Sequence, residues 1–191
     1  MDAGREQVTQ SPNRSQRRTY SVERGPDRGQ NSAMELRTHD GYSLTTDPAQ
    51  VDLDRVHTWL STETYWADGR ERDVVARSIE GSRPYSVHRD GEQWAFARTV
   101  TDGATFAWIC DVFVDSAHRG RGLGTWMVGC MVDDLAAEGV QRIVLATVDA
   151  HEVYRRCGFE ELQASHRWME IDQRPTRRTV LELASRSPRS P

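Results

Sequence analysis

Lysine is absent from this 191-residue chain, so all 25 of its basic side chains are arginine. That excludes a phosphate loop of the P-loop kind, which needs a Gly-Lys-Ser/Thr step. The three cysteines, Cys110, Cys130 and Cys157, are odd in number and form no C-x-x-C pair, and the histidines make no H-x-x-x-H pair. No metal site is expected. The thiols read as buried and free, which suits a reducing cytoplasm. No apolar run is long enough to cross a membrane, and the first residues lack the apolar stretch of a signal peptide. No internal repeat is visible.

The ends are poor in apolar residues. Segments 1–33 and 174–191 are rich in Arg, Ser and Pro, with only isolated or short apolar stretches, and are expected to be disordered tails around one domain over 34–173. They lower the mean hydropathy to −0.72, although six tryptophans and the apolar residues of the middle suffice for a core. The tails carry six Arg against four acids and five Arg against one, so the overall charge of −4 leaves the middle near −10. A nucleic-acid binder shows the opposite balance. Neither nucleic acid nor membrane is an expected partner. An acidic body can draw in a cationic ligand or simply be solvated.

What is present is concentrated in one stretch. Phe106–Val114 has the length and β-branched or aromatic content of a buried strand. A loop rich in Arg and Gly follows, Arg119-Gly120-Arg121-Gly122-Leu123-Gly124-Thr125. After it, Leu123, Trp126, Met127, Cys130, Met131 and Leu135 recur at helical spacing, and Gly139 stands where a helix-ending glycine belongs. Glycines let backbone approach a ligand, first-turn N–H groups favour negative charge, and arginines add charge-assisted donors. This is the chemistry of a pyrophosphate cradle. The dinucleotide fingerprint G-x-G-x-x-G fails, because its last position falls on Thr125. Arg119, Gly122 and Gly124 spell R-x-x-G-x-G instead.

That pattern resembles the acyl-CoA loop of the GNAT superfamily of N-acetyltransferases. The segment downstream agrees, with a strand over Gln141–Thr147 and a short helix ending in Tyr154-Arg155-Arg156-Cys157-Gly158-Phe159. The resemblance covers about residues 34–172 and is densest over 106–162. It implies an α/β fold of the GNAT type: a mixed, mostly antiparallel central sheet, splayed at the acyl-CoA site and flanked by helices. The remaining pattern suits it. A strand over Gly41–Thr45 leads to a helix started by Asp47-Pro48, with Leu53, Val56 and Leu60 inward. A helix over about Arg70–Glu80 has Val74, Val75 and Ile79 inward. A hairpin pairs Pro84–His88 with Gln93–Val100 across Asp90-Gly91. A last strand or hairpin lies over Leu162–Ile171.

The resemblance implies transfer of an acetyl group from acetyl-CoA to a primary amine by direct attack, without a metal. Arg119, Gly120, Arg121, Gly122, Leu123, Gly124 and Thr125 would anchor the pyrophosphate, and the backbone of Val112, Phe113 and Val114 the pantetheine and acyl carbonyl. Tyr154 is the candidate proton donor to the leaving thiolate, or else a core aromatic. Asp111 is either the base facing the acceptor or a salt-bridge partner of a neighbouring arginine such as Arg98, since a carboxylate in an apolar strand needs a reason to be there. His151 and Glu152 are lesser base candidates. Tyr65 and Trp66 lie where the family builds its acceptor pocket, or pack. Arg70 and Arg72 touch an acidic acceptor or cap surface, and one of Arg155 and Arg156 is a candidate for the CoA phosphates. Cys110 as an acyl-carrying nucleophile lacks a histidine to activate it. The acceptor is expected to be a small molecule rather than a protein, and the enzyme a monomer or homodimer. The rival class is a non-catalytic acyl-CoA sensor, which would keep the loop but need neither Tyr154 nor Asp111.

Overall fold

Strand β1 (Arg37–His39) and strand β2 (Tyr42–Thr45) open the computed structural model, which describes residues 37–172. The expectations for 1–33 and 174–191 lie outside the described residues. Gly41, expected in the strand, is the hairpin's turn residue, with Asp40 and Gly41 both at positive φ. Asp47 and Pro48 start only a 3-10 turn over Pro48–Gln50. Val51 is extended, so helix α1 (Leu53–Glu63) begins later and is capped by Asp52, whose carboxylate accepts from the Arg55 N–H at 3.0 Å. In α2 (Arg72–Glu80), Val75 and Ile79 face the core. Val74 instead turns to solvent, one hundred degrees off that stripe.

Strands β3 (Arg83–Arg89), β4 (Glu92–Thr101) and β5 (Phe106–Val114) form an antiparallel meander. Asp102 fixes the β4–β5 turn by accepting from the N–H groups of Ala104, Thr105 and Phe106 at 2.8–3.1 Å. Helix α3 (Leu123–Ala137) ends as its sequence predicts. Gly139, at φ +86°, donates to Ala136, and Val140 donates to Leu135. Strand β6 (Arg142–Val144) and helix α4 (His151–Arg156) complete the described elements. No strand forms over Leu162–Ile171. A 3-10 turn (Ser165–Arg167) stands there, and Met169 and Ile171 are 97% and 90% exposed.

The six strands lie in sequence order, antiparallel except for β5 and β6, which run parallel. One face packs Tyr85, Val87, Ala95, Ala97, Ala107 and Ile109 against Trp126, Met127, Met131 and Leu135 of α3. The other packs Phe96 and Phe113 against Val56, Trp59 and Leu60 of α1 and Val75 and Ile79 of α2. This is the expected mixed, mostly antiparallel sheet flanked by helices. Among the described residues no helix is long and apolar enough to cross a membrane.

Candidate active site

The site starts from a fault in β5. Residues 107 and 109 face α3, and so do 112 and 114, so the alternation of the strand slips by one. Phe96 opposes Phe113 while Arg98 opposes Cys110, which leaves one extra residue on β5. That residue is a bulge at Asp111, in the left-handed region at φ +53°. β5 pairs with β6 only over Phe106–Trp108. From Ile109 to Val114 its outer edge therefore has no strand partner among the described residues. The Asp115 N–H donates to Trp94 of β4. The N–H and C=O of Val114 consequently point the other way, to the open edge.

The loop leaves β5 under firm control. Asp115 caps a 3-10 turn (Ser116–His118) through Ala117 N–H, and its second oxygen accepts from Trp59 Nε1 at 3.2 Å. His118, which the sequence reading did not single out, stacks on Trp94 at 3.9 Å, and its Nδ1 lies 2.6 Å from the Tyr42 hydroxyl. Its place next to Arg119 was the available signal. Arg119 folds back over the Phe113 ring, 5.2 Å away, and donates from Nε to the Val114 carbonyl at 2.9 Å. Gly120 and Gly122 have φ of +75° and +77°, and Gly122 is the N-cap of α3. Lacking a side chain, it caps none of the first-turn N–H groups of Leu123, Gly124 and Thr125, which stay available to an anion. The side chains of Leu123 and Phe113 are buried, so only their backbone can meet a ligand. Gly124 comes close to β5: an added Cβ would lie 3.5 Å from Val114 Cγ2. Arg121 is exposed.

Tyr154 is brought to this loop by α4. Cys157 Sγ donates to the Thr125 carbonyl in the first turn of α3 at 3.4 Å, and the Tyr154 ring meets Phe159 edge-on at 6.0 Å. Burial, then the neighbouring Tyr65, Asp149 and Cys157, push the Tyr154 phenol up to about 12. Burial and Asp149 raise Tyr65 too, while the Val148 backbone opposes the shift. Tyr65, on the α1–α2 loop, thus comes close enough to Tyr154 for the two phenols to interact. Trp66 meets Tyr65 edge-on at 4.9 Å, and its buried Nε1 has no hydrogen-bond partner among the described residues.

Asp111 is 5% exposed and doubly paired: Oδ2 accepts from Arg98 Nε at 2.6 Å and Arg70 Nη1 at 2.9 Å. The arginine partnership anticipated for this residue is therefore present, with Arg70 as a second partner. Arg72 pairs with Asp54, Arg156 with Glu152 and Arg155 with Glu161, all at the surface, and His151 is exposed. All three cysteines are free, and burial pushes Cys110 up to about 11. Among the described residues no three His, Cys, Asp or Glu side chains gather as a metal-ligand group.

The acetyltransferase (GNAT) family model matches residues 53–159. A curated protein of Gibberella zeae, named as a candidate acetyltransferase, is 26% identical over 137 residues, 61% of this chain and 77% of that one. A structure from Xanthomonas campestris pv. campestris, described as a candidate acetyltransferase of the GNAT family, is 37% identical with a TM-score of 0.66, covering 69% of this chain and 92% of that one. A candidate acetyltransferase from Deinococcus radiodurans R1, at 18% identity and a TM-score of 0.57, covers 72% of this chain and 92% of its own, and shares the fold. The uncapped helix start, the open strand edge and the matched sequence coincide, and the chain belongs to the GNAT family of acetyltransferases.

Proposed function

We propose that this protein transfers the acetyl group of acetyl-CoA to the amine nitrogen of an acceptor by direct attack within a ternary complex. The observation that carries this reading is the continuity of one strand edge with one helix start. The unpaired edge of β5 over 109–114 leads within ten residues to the uncapped N-terminus of α3. Pyrophosphate sits on the N–H groups of 122–125 with Arg119, Gly120 and Arg121 beside it, and pantetheine adds to the edge of Val112, Phe113 and Val114 as a further strand would.

In the reaction the amine lone pair forms a C–N bond to the thioester carbonyl carbon. The backbone N–H at Val114 donates to the oxyanion, the C–S bond breaks with its electrons on sulfur, and the amine gives its proton to solvent. Tyr154 gives its hydroxyl proton to the thiolate and recovers one from solvent. A phenol at about 12 is a weak donor to an ordinary thiol near 8.5. Loss of water raises a thiol as it raises a phenol, and so narrows that gap. Tyr65 and Trp66 line the acceptor side.

The test is thiol release from acetyl-CoA by the purified chain against a panel of small amines. Release that depends on the added amine, with the N-acetyl product identified by mass spectrometry, is expected. Binding of acetyl-CoA with no amine-dependent release would leave a cofactor sensor in place of an enzyme.

A further inference from the structure

Two guanidinium groups converge on a single carboxylate oxygen beside the open edge of β5, and among the described residues this leaves a positive charge without a partner. Arg98 and Arg70 both donate to Oδ2 of Asp111, whose side chain is 3% exposed, while theirs are 14% and 22% exposed. One negative charge faces two positive ones. A charge held partly out of water is costly unless something pairs with it. Ten guanidinium N–H donors are present and Asp111 takes two. Among the described residues no other acceptor takes one from either side chain, and neither side chain has a sealed nitrogen lacking a partner. The remaining donors are therefore reached by solvent and not sealed in the core.

The pair is built to stay in place. The Arg70 backbone is tied by its N–H to Ala67 at 2.9 Å, while its carbonyl lies 3.2 Å from His57 Nε2, and Gly69 donates to Ser61 at 2.8 Å. The left-handed bulge at Asp111 presents the carboxylate to the face that carries Arg98, the side of the sheet on which Phe113 packs under α1 and α2. Tyr65, five residues before Arg70 on the same loop, is the residue that comes beside Tyr154. An acceptor whose amine reaches the acyl carbonyl at Val114 thus extends from there towards Arg70 and Arg98. This local charge runs against the net charge near −10 of the middle of the chain, so it is a property of the site and not of the surface at large.

We propose that the acceptor is an amine that also carries a carboxylate, and that Arg70 and Arg98, held together by Asp111, bind that carboxylate. The inference rests on the N-acetyltransferase reading of the same site. A guanidinium fork matches a planar carboxylate in two parallel hydrogen bonds.

The test uses the full chain with matched acceptors: L-phenylalanine, L-phenylalaninamide and phenethylamine, together with L-glutamate, β-alanine and 2-aminoethylphosphonate. The amide's amine is the less basic and more of it is unprotonated, so chemistry alone favours the amide. A kcat/KM at least tenfold higher for the carboxylates is expected, roughly the scale of one charge-assisted hydrogen bond. Arg70→Gln should raise KM for carboxylate acceptors by roughly 10- to 100-fold and erase the preference, with acetyl-CoA affinity by calorimetry retained. Arg70→Lys, which keeps the charge without the fork, should recover part of it. In the wild-type protein, 3-phenylpropionate should compete with the acceptor and 3-phenylpropionamide should not, which needs no variant to fold. Equal turnover of acids and amides, or equal inhibition by the two phenylpropionyl compounds, overturns the proposal and leaves the acetyltransferase reading standing. Preference for the phosphonate over every carboxylate also overturns it. Release that no added amine increases removes both.

Discussion

Arg119 donates from Nε to the carbonyl of Val114 at 2.9 Å, so the first arginine of the glycine-rich loop is fastened to the end of β5. Loop and strand end are one unit. Anything that displaces Arg119 changes the open edge as well as the cradle. On the proposed reading of the site, affinity for pyrophosphate and alignment of the thioester are coupled through one side chain.

Arg119→Ala should weaken acetyl-CoA binding by at most about 1.5 kcal/mol, the low end for a hydrogen bond to a charged group, because the side chain is exposed. Gly122→Val should weaken it for a different reason. A Cβ at Gly122 meets no atom within 4 Å, but the residue sits at φ +77°, where a β-branched side chain is strained by at least about 1–2 kcal/mol and projects at the ligand. Calorimetry with unchanged affinity in both variants would remove the cradle assignment.

Asp111→Asn separates a salt-bridge partner from a base. Asparagine tolerates the left-handed backbone at φ +53° but leaves two guanidiniums facing each other without an anion. We expect a loss on the order of 2–4 kcal/mol, moderated because both arginines keep some water, and a fall in Tm of roughly 10 °C. A variant as stable as wild type that loses rate, most steeply at low pH where more amine is protonated, would make Asp111 the base.

What the sequence made legible was local. The strand, the glycine loop, the amphipathic α3 and its glycine stop lie within 35 residues, and each is written in its own spacing. The start of α1 was misjudged because Asp47-Pro48 and Asp52 both carry helix-start chemistry, and only the extended Val51 decides between them. Apolar residues over 162–171 look like a strand, yet a strand needs a partner, and none of the described strands pairs there. The bulge at Asp111 is a property of register between two strands, and the meeting of Tyr65 with Tyr154 joins a loop to a helix nearly ninety residues further on. Neither leaves a local trace.

Direct transfer predicts that Cys110 carries no acyl group. Burial holds its thiol at about 11, so almost none is thiolate at neutral pH, and its Sγ is turned to the Arg98 carbonyl, 3.7 Å away. Cys110→Ala should stay active, and initial rates against both substrates should give intersecting rather than parallel lines. An acetylated Cys110 peptide in enzyme quenched with acetyl-CoA alone would reverse this.

Trimming the chain to residues 34–173 should preserve acetyl-CoA turnover, because both buried clusters lie inside that range. Circular dichroism and thiol release on the trimmed protein check it. An unfolded or inactive product would show that the flanking segments belong to the working enzyme.

Tyr154→Phe is the sharpest test of catalysis. The ring and its contact with Phe159 survive, so acetyl-CoA affinity should stay close to wild type, whereas turnover should fall by roughly 10²–10⁴-fold. The sign of the pH effect follows from the raised phenol. With a folded value of about 12 against an unfolded value near 10, Tyr154 is protonated throughout the neutral range, so no loss of rate between pH 6 and 9 should trace to its ionisation. Its contribution to stability is present in full below pH 10 and is lost as pH rises from 10 through 12. Wild-type Tm should therefore drop over that interval, and Tyr154→Phe should drop less. A variant with wild-type turnover and unchanged alkaline stability would make Tyr154 a packing aromatic and leave the thiolate to take its proton from solvent.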